Sequence, residues 1–432
     1  MIPAHPGRAV PATGSRVTIA RLRRSAVWLL AAVIVLIGAG LLAALYQEFT
    51  APATANAHHD FLAFYGAGEL VLRGHAAQLY DAGAMTTAQR AIIPYPVGYN
   101  GYMPFINPPF VATAFAPLAA LPYTTARAAW AVINLVLAAV AAVWVAHDLP
   151  PRQRALGGLL MVLSFPIYHA LAEGQVSIVL LVASLAALFA ARRGAWGATG
   201  AWLAVLWIKP QFLVLPLLAL LFARRWRTIA WVVGLGAAML AVSLPFTGAA
   251  IDVQYVGYLV NVVVSHFTGA GVLQHSVWEG NLATTEGLNG LLVGFMGQGS
   301  VGLVNILWAL LAAGLLGLYG LAVLRQRPGF DSPGARRMLA AGVVVVLLTD
   351  PNLFTQDCVL LFVAVLALWP VNPRHALGVI TAAAAIGELT LLDQGTLTPH
   401  LFTVVLLLIA VAVCVAEVVA RPVTARVVAE TA

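Results

Sequence analysis

Apolar runs of about 16–25 residues recur along the chain, the length needed to cross the ~30 Å hydrocarbon core of a bilayer as helix. They predict spans near 27–46, 124–147, 155–171, 175–191, 195–208, 211–223, 228–247, 300–324, 338–349, 353–369, 376–391 and 398–420, about twelve in all. Between the first two lies a long mixed stretch, 47–123. Within it "PPFVATAFAPLAALP" (108–122) is apolar but short and interrupted by proline. It reads as a juxtamembrane or re-entrant helix, because a full span there would move every later arginine loop to the other side. The runs 195–208 and 211–223 are split by "KPQ" and read as a broken pair packed inside protein, where irregular backbone is tolerated. Arg152 and Arg154, Arg192 and Arg193, "RRWR" (224–227), "RQRPGFDSPGARR" (325–337), Arg374 and Arg421 then share one side, the cytoplasmic one by the positive-inside rule. The expected organisation is a cytoplasmic tail (1–26), a single transmembrane domain (27–420) with outer loops at 47–123 and 248–299, and a cytoplasmic tail (421–432). Arg21, Arg23 and Arg24 precede the first run, whose length of about 20 residues exceeds a signal peptide's ~7–15, so it reads as a retained helix.

Composition sharpens this picture. Of 432 residues 61% are hydrophobic and only 9% charged, against ~25% charged in soluble domains. An all-α polytopic membrane protein is the fold class expected, with the lipid bilayer as a partner. The net charge is +7 and nearly all of its cations are arginine, which suits loops facing anionic lipid. No basic patch is interleaved with aromatics outside the apolar runs, so nucleic acid is not an expected partner. Cys358 and Cys414 lie in apolar runs and form no motif. There is no P-loop or HExxH, so a nucleotide site is not expected.

The reactive side chains gather on the predicted outer side. From Asp60, the positions Phe61, Phe64/Tyr65, Gly68 and Val71/Leu72 recur at helical spacing, with Gly74 as a stop, and predict a short amphipathic helix lying on the membrane surface. Asp60 at its start is either its N-cap or a catalytic carboxylate; the two roles are compatible. The adjacent "HHD" (58–60) is a poor metal site, since neighbouring residues seldom converge on one ion. "YMPFINPPF" (102–110) is a rigid loop or a sugar-stacking surface. Glu173 and Gln175 in "LAEGQVS" stand at the outer end of a span. Lys209 is the single lysine and sits between apolar segments. Such a lysine costs roughly 3 kcal/mol unless partnered; a lipid phosphate, or an ion pair with Glu173 or Asp357, would supply the partner. His266, His275, Glu279 and Asn281 in 265–290, and Asp350, Gln356 and Asp357 in "TDPNLFTQD", complete the outer set. This distribution favours an enzyme over a pump, which would place charges in mid-span. A transporter or flippase of an envelope lipid or glycan is the alternative, with no internal repeat to support it.

Taken in order, "DFLAFYGAGELVLRGHAAQLYD", "FINPPF" with "PLAALP", "EGQVSIVLL", "LWIKPQFLVLPLL" before "RRWR", "HSVWEGNL" and "DPNLFTQDCVLL" resemble glycosyltransferase family 87. The resemblance covers about 55–370 and implies a GT-C type bundle with juxtamembrane helices in the first outer loop. It further implies an outer-face hexosyltransferase of a bacterial-type plasma membrane, moving a sugar from a polyprenyl-phosphate donor to a glycan or glycolipid acceptor, with no cofactor and no metal. The family's acidic base at the start of the first outer loop corresponds to Asp60. Mannose-transferring members often carry a His pair near the "DP" loop, where this chain has Gln356 and Asp357. Lys209, His266 or His275 would then supply the charge for the donor phosphate, and Tyr65, Glu173, Gln175, Asn281, Gln356 and Asp357 are the expected sugar or acceptor contacts.

Overall fold

The computed structural model describes residues 36, 38–47, 49–50, 60–94, 101–268, 287–296, 301–326, 332–350, 353–371, 376 and 398–419. Of the predicted spans, 377–391 and half of 27–46 fall outside them. The described residues are helical throughout their ordered elements, with no strand. In chain order the helices are α1 (Phe61–Leu72), α2 (Ala82–Arg90), α3 (Pro109–Ala119), α4 (Tyr123–Asp148), α5 (Arg154–Val162), α6 (Phe165–Glu173), α7 (Ser177–Arg192), α8 (Trp196–Ala204), α9 (Val214–Phe222), α10 (Trp226–Thr247), α11 (Ala249–Thr268), α12 (Leu288–Met296), α13 (Val301–Gln326), α14 (Pro333–Thr349), α15 (Leu361–Leu368) and α16 (Thr398–Val419).

The architecture is a helical membrane bundle, but the count of spans differs from the expectation. Among the described residues three helices (Tyr123–Asp148, Trp226–Thr247 and Gly302–Arg325) are long and apolar enough to cross a membrane, and a fourth crossing results if α5 and α6, bent by 41°, act together. Elsewhere an apolar run does not equal one helix. Pro166 at the start of α6 breaks the run 155–171, the chain breaks at Lys209 and Pro210 where the sequence splits its pair of short runs, and Val205–Ile208, Pro210–Leu213 and Thr355–Leu360 are 3-10 turns. The segment 248–299, expected as an outer loop, holds two helices, α11 and α12. Gly248, at φ 75°, turns the chain between α10 and α11, and Ile251, Tyr255 and Tyr258 then recur at helical spacing and are buried.

Burial separates an inner from an outer set of helices. Twelve of the sixteen residues of α7 and all eight of α15 are buried, whereas α4 and α10 expose Val136, Val143, Trp231, Val242 and Phe246. An exposed apolar face of this extent is a lipid-facing one. One end of the bundle is rich in arginine, while Arg73 and Arg127 lie toward the other. Arg192, at the opposite end of α7 from Ser177, pairs with Asp148 and donates to the Leu366 carbonyl. Arg337 pairs with Glu417 near the end of α16, and the Arg225 guanidinium lies 4.0 Å from the Trp196 ring centroid.

At the other end, α1 to α3 form a second apolar core. Here the expected surface helix is corrected: ten of the twelve residues of α1 are buried. Its pattern has no broad polar face, because Leu62, Ala63, Gly66 and Leu70 fill the side opposite the aromatics, while Gly68 lies among them. A Cβ on Gly68 would stand 2.9 Å from the Phe115 carbonyl, so the missing side chain is what lets α3 rest on the α1 backbone. Phe64 stacks on Phe115 with centroids 4.8 Å apart. The helix ends in a Schellman motif: Gly74 is left-handed (φ 73°), and the Gly74 and His75 N–H groups bond the Val71 and Leu70 carbonyls.

Candidate active site

Asp60 stands at the N-cap position of α1 but does not cap it. Its backbone is already helical (φ −59°, ψ −25°) and its carboxylate accepts nothing from the first turn. Asp81 shows the contrast: with extended backbone it accepts the Ala84 N–H at 2.7 Å and caps α2. The capping role expected of Asp60 is therefore corrected. Its Oδ2 accepts a hydrogen bond from Gln175 Nε2, and its N–H donates to Glu173 Oε2 at 3.3 Å.

Those partners are delivered by the turn between α6 and α7. Gly174 is left-handed (φ 64°), and the Gly174 and Gln175 N–H groups bond the Leu171 and Ala170 carbonyls, a second Schellman motif. Side chains of α4 take further carbonyls here: Trp130 Nε1 donates to Gly174 at 2.7 Å and Arg127 Nη2 to Ala172 at 3.4 Å. A Cβ on Gly174 would meet the Phe61 Cβ at 2.6 Å, so glycine is required both for the turn and for its approach to Asp60. Gly174→Ala is expected to destabilise by about 2–5 kcal/mol, the sum of left-handed strain and overpacking, and to reduce activity. Thermal melts in detergent check this; a melt identical to wild type would contradict it.

Lys209 approaches from the break between the two 3-10 turns, with extended backbone at φ −130° and ψ 85°. Its ammonium donates to Asp357 Oδ1 at 2.7 Å, with Lys209 11% and Asp357 2% exposed. Ser177 Oγ, at the first residue of α7, donates to the same oxygen at 2.6 Å. Of the partners open to this lysine, Asp357 is the one in contact. The break leaves the Ile208 carbonyl outside a regular helix, and Asn107 Nδ2 satisfies it at 2.9 Å. Tyr80 in turn donates to the Asn107 carbonyl at 2.8 Å. "FINPPF" thus ties the first outer segment to the lysine.

The electrostatics follow from this packing. Asp60 lies in the outer segment, partly buried. Burial, then the neighbouring Glu173 carboxylate, push its carboxyl up to about 7, against the Gln175 hydrogen bond and the Lys209 ammonium, with Asp357 adding a smaller upward push. A carboxyl so poised is about half ionised at pH 7 and more fully above it, and its ionised form can accept a proton. Among the described residues no three His, Cys, Asp or Glu side chains gather to hold a metal ion.

Asp60, Glu173, Gln175, Lys209 and Asp357 are thus brought together. Tyr65 is not among them: its hydroxyl donates to the Leu121 carbonyl at 2.8 Å and its ring packs on Tyr123. Gln356 is buried beside Asp357. His275 and Asn281 lie outside the described residues, and of His266 only its place in α11 is described. The sequence patterns single out neither Asn107 nor Ser177. The available signal for Asn107 is an amide ahead of two prolines, held in extended backbone where its side chain can serve a neighbour.

The sequence profile of glycosyltransferase family 87 matches residues 105–351. No curated protein and no solved structure matches the chain. The matched region contains Asn107, Glu173, Gln175, Ser177 and Lys209, with Asp60 ahead of it and Asp357 just beyond it. It covers more than half of the sequence, and it agrees with an all-helical membrane bundle whose carboxylates and lysine meet at one end: the chain belongs to glycosyltransferase family 87.

Proposed function

We propose that the protein transfers a hexose from a polyprenyl-phosphate donor to a hydroxyl of an outer-face glycan or glycolipid, with Asp60 as general base. The acceptor oxygen bonds to the anomeric carbon as the bond from that carbon to the phosphate oxygen breaks. The hydroxyl proton passes to Asp60, the polyprenyl phosphate departs with the bonding electrons, and the anomeric configuration inverts. The transition state has oxocarbenium character. The observation that carries this reading is the state of Asp60: it does not cap its helix, one oxygen is held by Gln175, and its carboxyl is poised near neutrality.

Negative charge grows on the departing phosphate. A cation nearby stabilises it, more strongly in a partly buried site than in water. Lys209 is the cation within electrostatic reach of Asp60, and an ammonium with three donors can keep Asp357 and still bond a phosphate. His266 and His275 are the further candidates for the phosphate, with Asn281 and Gln356 for sugar hydroxyls. The arginine-marked end of the bundle lies away from Asp60, which supports placing the site on the outer face of a plasma membrane. The course of about twelve crossings belongs to this reading, the short helices around Lys209 serving as a broken span enclosed in protein.

The test uses purified protein in lipid, a panel of polyprenyl-phosphate sugars and the matching nucleotide sugars, with envelope extract as the source of acceptor. Sugar should leave one polyprenyl-phosphate donor and appear with inverted configuration. Transfer from a nucleotide sugar alone would overturn the proposal.

A further inference from the structure

Gln175, expected from the sequence to touch sugar, has its side chain committed to the protein. It is 7% exposed. Its Oε1 accepts the Val176 N–H at 3.3 Å, which turns Nε2 toward Asp60 Oδ2. Its backbone is fixed by the left-handed Gly174 and the bond from its own N–H to Ala170. Both ends of the amide and the residue that bears it are therefore set before any substrate arrives. We propose that Gln175 is a positioning residue for the Asp60 carboxylate, holding Oδ2 so that Oδ1 is left to take the acceptor's proton. This rests on the reading of Asp60 as the base.

The chemistry explains why an amide suits this place. The charged groups that act on Asp60 are Glu173 from the end of α6, Lys209 from the break between the 3-10 turns and Asp357 from the turn before α15; His58 and His59 lie outside the described residues. Two of those three are carboxylates, so without a donor Asp60 would hold its proton to higher pH. A cationic donor in place of Gln175 would lower an adjacent carboxyl by 1–3 units, roughly, and leave a weak base. A neutral donor orients the carboxylate and offsets part of the repulsion while keeping it basic enough to act near neutral pH. Ser177, two residues on, gives the same kind of bond to Asp357, so one short turn holds both carboxylates.

The experiment is the pH dependence of kcat/KM for wild type, Gln175→Leu and Ser177→Ala, in lipid with the donor identified by the panel above. In wild type the rate should rise through pH about 7. In Gln175→Leu that rise should move up by about one pH unit, as expected for loss of a hydrogen bond to a charged group, with rates about fivefold down at pH 7 and most of that loss restored at pH 9. Ser177→Ala should lower the rate and leave the rise in place. If the Leu variant does not fold, Gln175→Glu, which keeps length and shape, replaces it, with a larger upward shift. An unmoved rise in a folded Gln175 variant, or an equal shift in Ser177→Ala, would overturn the assignment. If Asp60→Asn is inactive at the same time, Asp60 as base survives that failure; an active Asp60→Asn protein would instead overturn the reading on which the proposal rests.

Discussion

Asp60→Asn is expected to slow sugar transfer by about 10²–10⁴-fold, the contribution typical of a general base, in a protein that remains folded. Asparagine keeps the shape of the side chain and an acceptor for Gln175, and no helix cap is lost, because Asp60 gives none. The same variant should be more stable than wild type in alkaline buffer, and the sign follows from the direction of the shift. The Asp60 carboxyl is raised from 3.8 to about 7 in the folded protein. Below about 3.8 both folded and unfolded forms are protonated and ionisation costs nothing. As pH rises from there to about 7 the unfolded chain ionises first, so wild type loses stability; above about 7 the loss is complete. Melts at pH 4, 6 and 8 should show a gap between variant and wild type that is absent at pH 4, opens by pH 6 and is largest at pH 8. A low-activity variant that also melts far below wild type at every pH would point to a structural role for Asp60 instead.

Lys209→Met carries the second large effect. It leaves Asp357, 2% exposed, as a buried carboxylate without its cation, and breaking a buried pair from one side costs about 3–5 kcal/mol. It also removes the charge proposed for the donor phosphate, so activity should fall with stability. The double variant Lys209→Met/Asp357→Asn separates the two effects. The amide removes the stranded charge and can still accept from Ser177, so the melting temperature should recover most of its loss while turnover stays low. Recovery of both would reduce Lys209 to a structural partner of Asp357.

Part of this site is legible in the sequence. A lone lysine between apolar segments is conspicuous because its burial is costly without a partner, and Asp357 is among the few carboxylates that could serve it. Gly74 is recognisable as a helix stop because a left-handed residue is best filled by glycine. The long-range bonds are not legible. Ser177 meets Asp357 across 180 positions and Asn107 meets Ile208 across 101, and neither pairing leaves a local pattern. α1 misleads because the spacing of Phe61, Phe64, Tyr65 and Leu72 suits a surface helix equally well. What decides the matter is that Gly68 admits the α3 backbone on the aromatic side and Gly66 admits Met85 and Gln89 of α2 on the other. The break at Lys209 and Pro210 is legible, but the apolar run 155–171 hides the bend between α5 and α6, since hydropathy measures composition and a helix needs unbroken N–H donors as well.

The most direct test of Asp60 as the base is the pH profile of single-turnover sugar transfer by the wild-type protein in lipid, from pH 5 to 9. A rate that climbs through about 7 and then levels, with the climb abolished in Asp60→Asn, is the predicted result. A wild-type rate that stays flat across that range would contradict it.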